Sequence, residues 1–282
     1  MNDLLRRLDA IPVTAVVALL YVTFAFLTDP VSPTYQQLVH YGGARGIDVG
    51  NGDAWRLVSY AFLHGSALHL LFNMWALVQL GPATEAALGS VRFGALYVVG
   101  AIGAGIAGCL WHDPRSPLVG GSGALFAMDG AMIAFHARQG GSPSGHVHVA
   151  ASKQWLSIAA MNLLLGALIP YVSNAAHIGG LVTGMLFVFV TTKGPRGERP
   201  RIGVAAAGCI ALVLSLLALC IRPVHRWDHQ LLLWGRATDP IAREAHAAAF
   251  LQAFVGNTDG YRDEVGMQQA YAQLQEMLRN DR

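Results

Sequence analysis

Seven apolar runs, at roughly 11–28, 60–80, 93–111, 122–137, 155–172, 175–191 and 202–221, dominate this sequence of 282 residues. About 20 apolar residues of helix cross a hydrocarbon core about 30 Å thick. Only helices or closed barrels satisfy their backbone groups in lipid, and these runs lack the alternation of a barrel strand. The chain therefore reads as an all-α polytopic membrane protein. Charge agrees: 13% of residues are charged, against about 25% in an ordinary soluble domain. A formal net charge of +2 excludes an electrostatic nucleic-acid binder. So little charge excludes disorder, and three cysteines (Cys109, Cys209 and Cys220), all in apolar runs, exclude a disulfide-stapled fold.

Arg6 and Arg7 precede the first run as they would in a signal peptide, but no small-residue cleavage site follows and the run exits through Asp29-Pro30. It reads as a membrane helix. Basic residues orient the rest. With the N-terminus in the cytoplasm, Arg6, Arg7, Arg92, Arg138, Lys153, Lys193, Arg196, Arg199 and Arg201 fall inside; only Arg45, Arg56 and Arg115 fall in outer loops. Seven crossings then place the C-terminus outside. The short N-terminal arm with Asp3 and Asp9 does not suit a mitochondrial transit peptide, which points to a bacterial inner membrane.

Three regions follow: a six-helix core at 1–193, a cytoplasmic linker and seventh helix at 194–222, and an extramembrane helical hairpin at 223–282. In the hairpin, Asp239-Pro240 starts a helix with the stripe Ile241, Ala245 and Ala248; Gly256-Asn257 ends it. Met267, Ala270 and Leu274 stripe the second. The tail carries no recognisable chemistry and is expected to pack or to contact a partner.

Titratable groups inside a bilayer are costly and mark function. Cys and Tyr aside, the cores of the runs hold three: His69, Asp129 and His177, joined by the polar Asn73, Ser122 and Asn174. His69 and Asn73, four residues apart, share a helix face. Ser122 opens the fourth run after Gly120-Gly121, where backbone N–H groups are not consumed by the helix. A hydroxyl beside free N–H donors, with His and Asn nearby, has the parts of an acyl-transfer site: Ser122 attacks, and backbone N–H, His69 and Asn73 hold the oxyanion. His177 is the candidate general base. Ser122 stands 16 residues before Arg138, about 24 Å of helix, so the serine lies below the outer face and requires a water-filled cavity.

Trp55-Arg56, His64-x4-His69-x3-Asn73, Glu85 before Leu88-Gly89, Gly120-Gly121-Ser122-Gly123 and Asn174-Ala175-Ala176-His177-Ile178-Gly179-Gly180 occur in order along these runs. Together they resemble the rhomboid intramembrane serine proteases across 11–191, with the seventh helix matching the variants that carry one extra at the C-terminus. The resemblance implies a Ser122–His177 dyad without an acid and an oxyanion hole from His69, Asn73 and the Ser122 backbone. It also implies a structural outer loop around Trp55-Arg56, no cofactor, and substrates that are transmembrane segments of other proteins, met within membrane lipid. No nucleic acid and no metal are expected, and no oligomeric state is assigned.

Two positions depart from the family pattern. Phe126 stands where the family often has Tyr stacked on the catalytic imidazole, and stacking needs only the ring. Asp129, seven residues after Ser122, shares its helix face within about 20° but lies about 10 Å deeper. That is too far to orient His177, and a protonated carboxyl hydrogen-bonded to Thr183 is the expectation. His64 is expected to brace the outer loop. Gly180 and Gly184, like Gly100, Gly103, Gly105 and Gly108, read as close helix packing. His146 and His148 are expected in a cytoplasmic loop. Two other readings stand beside the protease: a catalytically silent relative that binds membrane clients, and a transporter.

Overall fold

The computed structural model describes residues 11–192 except 51, 112–115, 140–144, 170 and 171, together with isolated positions 238, 239, 241, 245, 272 and 276. The expected seventh span and the tail hairpin lie outside the described residues. Every described element is helical, with one isolated bridge between Ala44 and Leu118.

The chain runs α1 (Pro12–Thr28), then an outer loop with short helices α2 (Tyr35–His40), α3 (Gly46–Gly50) and α4 (Arg56–Ser59), the last continuing into a 3-10 turn at Tyr60–Phe62. Long helices follow: α5 (Ala67–Leu88), α6 (Ser90–Trp111), α7 (Ser122–Gln139), α8 (Gly145–Leu168) and α9 (Asn174–Thr191). Local chemistry fixes their starts. Thr34 and Gln37 form a reciprocal capping box on α2. Ser66 caps α5 by accepting from the His69 N–H, and Ser173 caps α9 by accepting from the Ala176 N–H. The first turn of α1 is capped from a distance. Glu85, on α5, accepts from the N–H groups of Val13 and Thr14 at 3.0 and 2.9 Å and from the Thr14 hydroxyl at 2.7 Å, placing a carboxylate on the positive end of the helix.

Two expected boundaries are corrected. The second run does not cross as one helix from residue 60. Leu63 and Ser66 are extended, and the 3-10 segment meets α5 at a bend of 96°. His64 and Gly65 lie at this corner, so the helix begins at Ala67. The fifth run extends back to Gly145, because nothing between Gly145 and the apolar residues breaks a helix. His146 and His148 therefore lie on the first turns of α8 and not in a loop.

Among the described residues, α6 and α9 are long and apolar enough to cross a membrane, and α4 with α5 forms a bent pair. α1 is a shorter apolar helix. α7 is the centre of the bundle, buried without interruption from Gly123 to Ala134. α9 and α6 pack against it at backbone distance. A Cβ on Gly180 would overlap the Gly123 carbonyl oxygen, one on Gly184 that of Ala127, and one on Gly130 that of Leu181. Small residues here let α9 lie against α7. On the outside, Leu68, Leu71, Phe72, Trp75 and Val78 of α5 and Leu156, Met161 and Leu164 of α8 are exposed, an apolar surface suited to lipid.

Candidate active site

Ser122 is the first residue of α7, and His177 lies one turn into α9. The glycine contacts between these helices bring the two side chains together, with His177 Nε2 2.9 Å from Ser122 Oγ. The imidazole is held from one side by Phe126, one turn below the serine, whose ring stacks on it at 4.3 Å between centroids and 17° between planes. His177 Nδ1 is buried with no hydrogen-bond partner, and so no orienting carboxylate, among the described residues.

The serine sits on a turn that is tied on several sides. Gly120 donates its N–H to the Tyr60 carbonyl at 3.0 Å, and Ala44 and Leu118 exchange both backbone hydrogen bonds at 3.0 and 2.9 Å. Beside Gly121 lies the Tyr21 hydroxyl. Tyr97 donates toward Tyr21 and the Ala61 carbonyl at 3.1 and 3.2 Å. Gly120 adopts φ +114°, and a Cβ there would lie 2.6 Å from Cε1 and Nε2 of His69. Glycine is required twice over: for the left-handed backbone and for the approach of the imidazole.

His69 therefore faces the turn before the serine. Its Nδ1 accepts the Gly65 N–H at 3.4 Å, an arrangement that leaves the proton on Nε2, the nitrogen beside Gly120. Asn73 stands one turn further along α5, buried, and donates from Nδ2 to the His69 carbonyl at 2.9 Å. Half of its donor capacity is thus used within its own helix, and Oδ1 has no partner among the described residues. His64 is buried edge-on between Tyr21 and His69, at 4.8 and 5.2 Å between centroids. Its ring neighbours lie on α1 and α5, so His64 packs beside the site.

The outer loop is organised by charge. Asp48 is fully buried and receives both Nε and Nη2 of Arg45 at 2.6 and 2.8 Å, with Arg56 Nε at 3.6 Å. Asp48 and the Tyr35 hydroxyl raise the Arg45 pKa against the burial that would lower it. Arg56 donates to the carbonyls of Val39 and Gly43 at 2.6 and 3.2 Å, and its guanidinium lies 4.7 Å over the Trp55 ring. Gly43 precedes Ala44, whose bridge to Leu118 leads directly to Ser122. The Trp55-Arg56 pair is thereby connected to the serine turn through the backbone of Gly43, Ala44 and Leu118.

Asn174 supports α9 from α8's side: its Nδ2 donates to the Leu163 carbonyl at 3.1 Å. Asp129 corrects an expectation. The Thr183 hydroxyl donates to the Gly179 carbonyl at 2.7 Å and not to the carboxylate, because a threonine in a helix satisfies itself on its own preceding turn. Asp129 Oδ1 is left without a hydrogen-bond partner among the described residues. His148 Nδ1 lies 3.0 Å from His136 Nδ1 of α7. Among the described residues no group of three or more His, Cys, Asp or Glu is arranged to hold a metal.

A cavity of about 450 Å³ runs from the serine turn down between α5 and α8. Ser122, His177, His69, Asn73 and Phe126 line its upper part, with Phe72, Trp75, Leu165 and Ile169 forming apolar walls and Asp129 and Asn162 adding polar groups.

A family model described as the Rhomboid domain matches residues 51–194, the stretch that contains His69, Asn73, Ser122, Phe126 and His177. RHOMBOID-like protein 5 of Arabidopsis thaliana is 35% identical over 171 residues, covering 60% of this chain and 53% of the relative. The chain thus spans about half the length of that relative. The Bacillus subtilis rhomboid protein YdcA is 30% identical over 187 residues, covering 64% of this chain and 88% of YdcA. Rhomboid protease GluP of Bacillus subtilis is 30% identical over 194 residues, covering 66% of this chain and 36% of the relative.

Proposed function

The chain belongs to the rhomboid family, and on that premise we propose that it is an intramembrane serine endopeptidase that cleaves transmembrane segments of other membrane proteins. The observation that carries the reading is the 2.9 Å approach of His177 Nε2 to Ser122 Oγ, beside a cavity that reaches the lipid-facing helices. Membership and the apolar helices make it an integral membrane protein. The inner membrane of a bacterium, seven crossings, a cytoplasmic N-terminus and an outer C-terminal tail complete the proposal.

In the proposed reaction His177 accepts the hydroxyl proton at Nε2 as Ser122 Oγ adds to the scissile carbonyl. The tetrahedral oxyanion meets His69 Nε2–H, the remaining Nδ2–H of Asn73 and the backbone N–H at Ser122. Donors fixed before the reaction are worth about 10²–10³ in rate each. His177 then gives its proton to the leaving amine, and water in the cavity hydrolyses the acyl-enzyme by the same path in reverse. With no carboxylate on Nδ1, the imidazole is oriented by its stack on Phe126 and by the backbone of α9. The substrate strand enters between α5 and α8, where the cavity meets exposed apolar side chains.

Cleavage of a model transmembrane substrate in proteoliposomes tests the reading. Ser122→Ala is expected to abolish cleavage and to remove labelling by a fluorophosphonate, with an unchanged melting profile. Undiminished cleavage by that variant overturns the assignment. A wild-type protein that binds membrane clients yet neither cuts nor labels is the outcome expected of a silent relative.

A further inference from the structure

His136 and His148 meet at the end of the bundle opposite the serine turn, where α7 finishes and α8 begins. Their Nδ1 atoms are 3.0 Å apart and their ring centroids 5.3 Å. The difference is about two ring radii, so each Nδ1 points along the line to the other. A single metal ion would need the two lone pairs to converge on a point off that line; a straight N–H···N hydrogen bond is what the rings form. One ring donates its Nδ1–H and the other presents a bare Nδ1. The bond therefore exists when the pair holds no added proton or one. With two, both nitrogens are donors and the rings carry like charge in contact.

Little else ties α8 to α7. Ser152 Oγ donates to the Ile133 carbonyl at 3.2 Å, and the fully buried apolar contact between the helices is limited to Phe126, Ile133 and Ala159. The charged groups of the surrounding elements do not favour a doubly charged pair. Toward this end stand Arg138 on α7, His146 and Lys153 on α8, and Arg92 on α6. α9 has no titratable side chain beyond His177, and α8 has no carboxylate. Asp129 lies two turns back on α7, about 10 Å away, and Glu85 of α5 is engaged by Val13 and Thr14.

We infer that His136 and His148 form a proton-operated latch that holds the Gly145 end of α8 against α7 and releases it when both rings are charged. The second proton enters against the charge of the first and of the basic side chains nearby. Release therefore accompanies acidification below about pH 6.5, where imidazoles ordinarily begin to charge. A released α8 pivots on its far tether, the Leu163 carbonyl held by Asn174. Asn162, Leu165 and Ile169, which line the cavity from α8, move with it, and a transmembrane strand enters more readily. This effect on cleavage rests on the proteolytic reading of the site; the latch itself does not.

The test follows the full chain in proteoliposomes with the same pH on both sides. Spin labels are placed at Ala137→Cys and Val149→Cys, both exposed, with the native cysteines replaced by alanine. From about pH 7.5 to about pH 4.5 the label separation is expected to lengthen by about 2 Å or more. In His148→Gln the amide cannot charge, yet it donates to a neutral His136 or accepts from a charged one. Its separation is expected to stay short at both pH values. An unchanged separation with both histidines present overturns the latch, and this arm needs no histidine variant to fold. Equal lengthening in a folded His148→Gln overturns it too, because other groups then part the helices. Cleavage is read as the ratio of kcat/KM between wild type and His148→Gln at each pH, in which titration of His177 cancels. Acidification is expected to raise that ratio by about 3-fold or more. A constant ratio beside a lengthening separation overturns the effect on the cavity. A chain that neither cleaves nor labels with a fluorophosphonate removes the proteolytic reading, while the label separation still decides the latch.

Discussion

Phe126 holds the His177 imidazole face to face, 4.3 Å between centroids and 17° from parallel, while Nε2 of the same ring reaches 2.9 Å from Ser122 Oγ. One helical turn of α7 thus supplies both the hydroxyl and the surface that aims the imidazole at it. Because Nδ1 has no partner among the described residues, the stack carries more of the orientation than a ring–ring contact ordinarily does, and a displacement of about 1 Å costs about 10²-fold in rate. Phe126→Leu is expected to lower kcat by about 10–100-fold with little change in KM. Phe126→Tyr, which keeps the ring, is expected to stay within about 3-fold. Single-turnover cleavage of a transmembrane substrate separates these outcomes.

The His69–Gly120 contact leads to a second expectation. Gly120 has φ +114° and a Cβ there would meet the His69 ring at 2.6 Å. Gly120→Ala therefore strains the backbone by about 1–2 kcal/mol and displaces an imidazole proposed to donate to the oxyanion. The expected loss in kcat is about 10²-fold or more, with Ser122 still labelled by a fluorophosphonate at a reduced rate. Retention of full kcat removes His69 from the oxyanion site.

Much of this site was legible because the bilayer makes polar residues rare. His69, Asn73, Ser122 and His177 stood out against apolar runs, and all line one cavity. What the sequence concealed depends on pairs from distant segments. Glu85 stands among the motif residues, yet nothing in the sequence shows that it caps α1 from 71 and 72 positions away. His148 gave no sign of meeting His136 across two helices. The 96° corner before α5 was hidden because Tyr60, Ala61, Phe62 and Leu63 continue the apolar run without a break. Hydrophobicity marks what is buried or faces lipid and does not report where a helix turns. Asp129 was visible from the start; its environment was not, since the Thr183 hydroxyl chose its own helix.

The outer loop offers a test of stability apart from chemistry. Asp48 is fully buried between Arg45 and Arg56, whose side chains are 18% and 9% exposed. Removing one member of a buried ion pair costs about 3–5 kcal/mol, because the remaining charge loses its partner; here Arg45 loses both contacts to Asp48, while Arg56 keeps Asp53 Oδ2 at 3.1 Å. Partial exposure of Arg45 places Asp48→Ala toward the lower end, about 3 kcal/mol, and thermal unfolding in detergent measures it. The strain is expected to reach the site through Gly43, Ala44 and Leu118, so activity should fall even below the unfolding temperature. A variant with wild-type melting would show that the Tyr35 hydroxyl for Arg45, and Asp53 with the carbonyls of Val39 and Gly43 for Arg56, satisfy the two arginines without Asp48.

Gly184 and Gly94 form the last comparison, two glycines in the interior of apolar helices with opposite surroundings. A Cβ on Gly184 would overlap the Ala127 carbonyl, forcing α9 away from α7 and His177 away from Ser122, whereas at Gly94 the nearest atom would be Val13 Cγ1 at 3.6 Å. Overpacking a tight contact costs about 1–3 kcal/mol, while replacing an unconstrained helical glycine by alanine gains up to about 1 kcal/mol. Gly184→Ala is therefore expected to lower both melting temperature and kcat, and Gly94→Ala to leave kcat unchanged with an equal or higher melting temperature. Because α9 carries the proposed base and α7 the proposed nucleophile, the loss at Gly184 should appear in fluorophosphonate labelling of Ser122 as well as in cleavage. Equal behaviour of the two variants would mean that α7 and α9 can separate by a methyl group without disturbing the site.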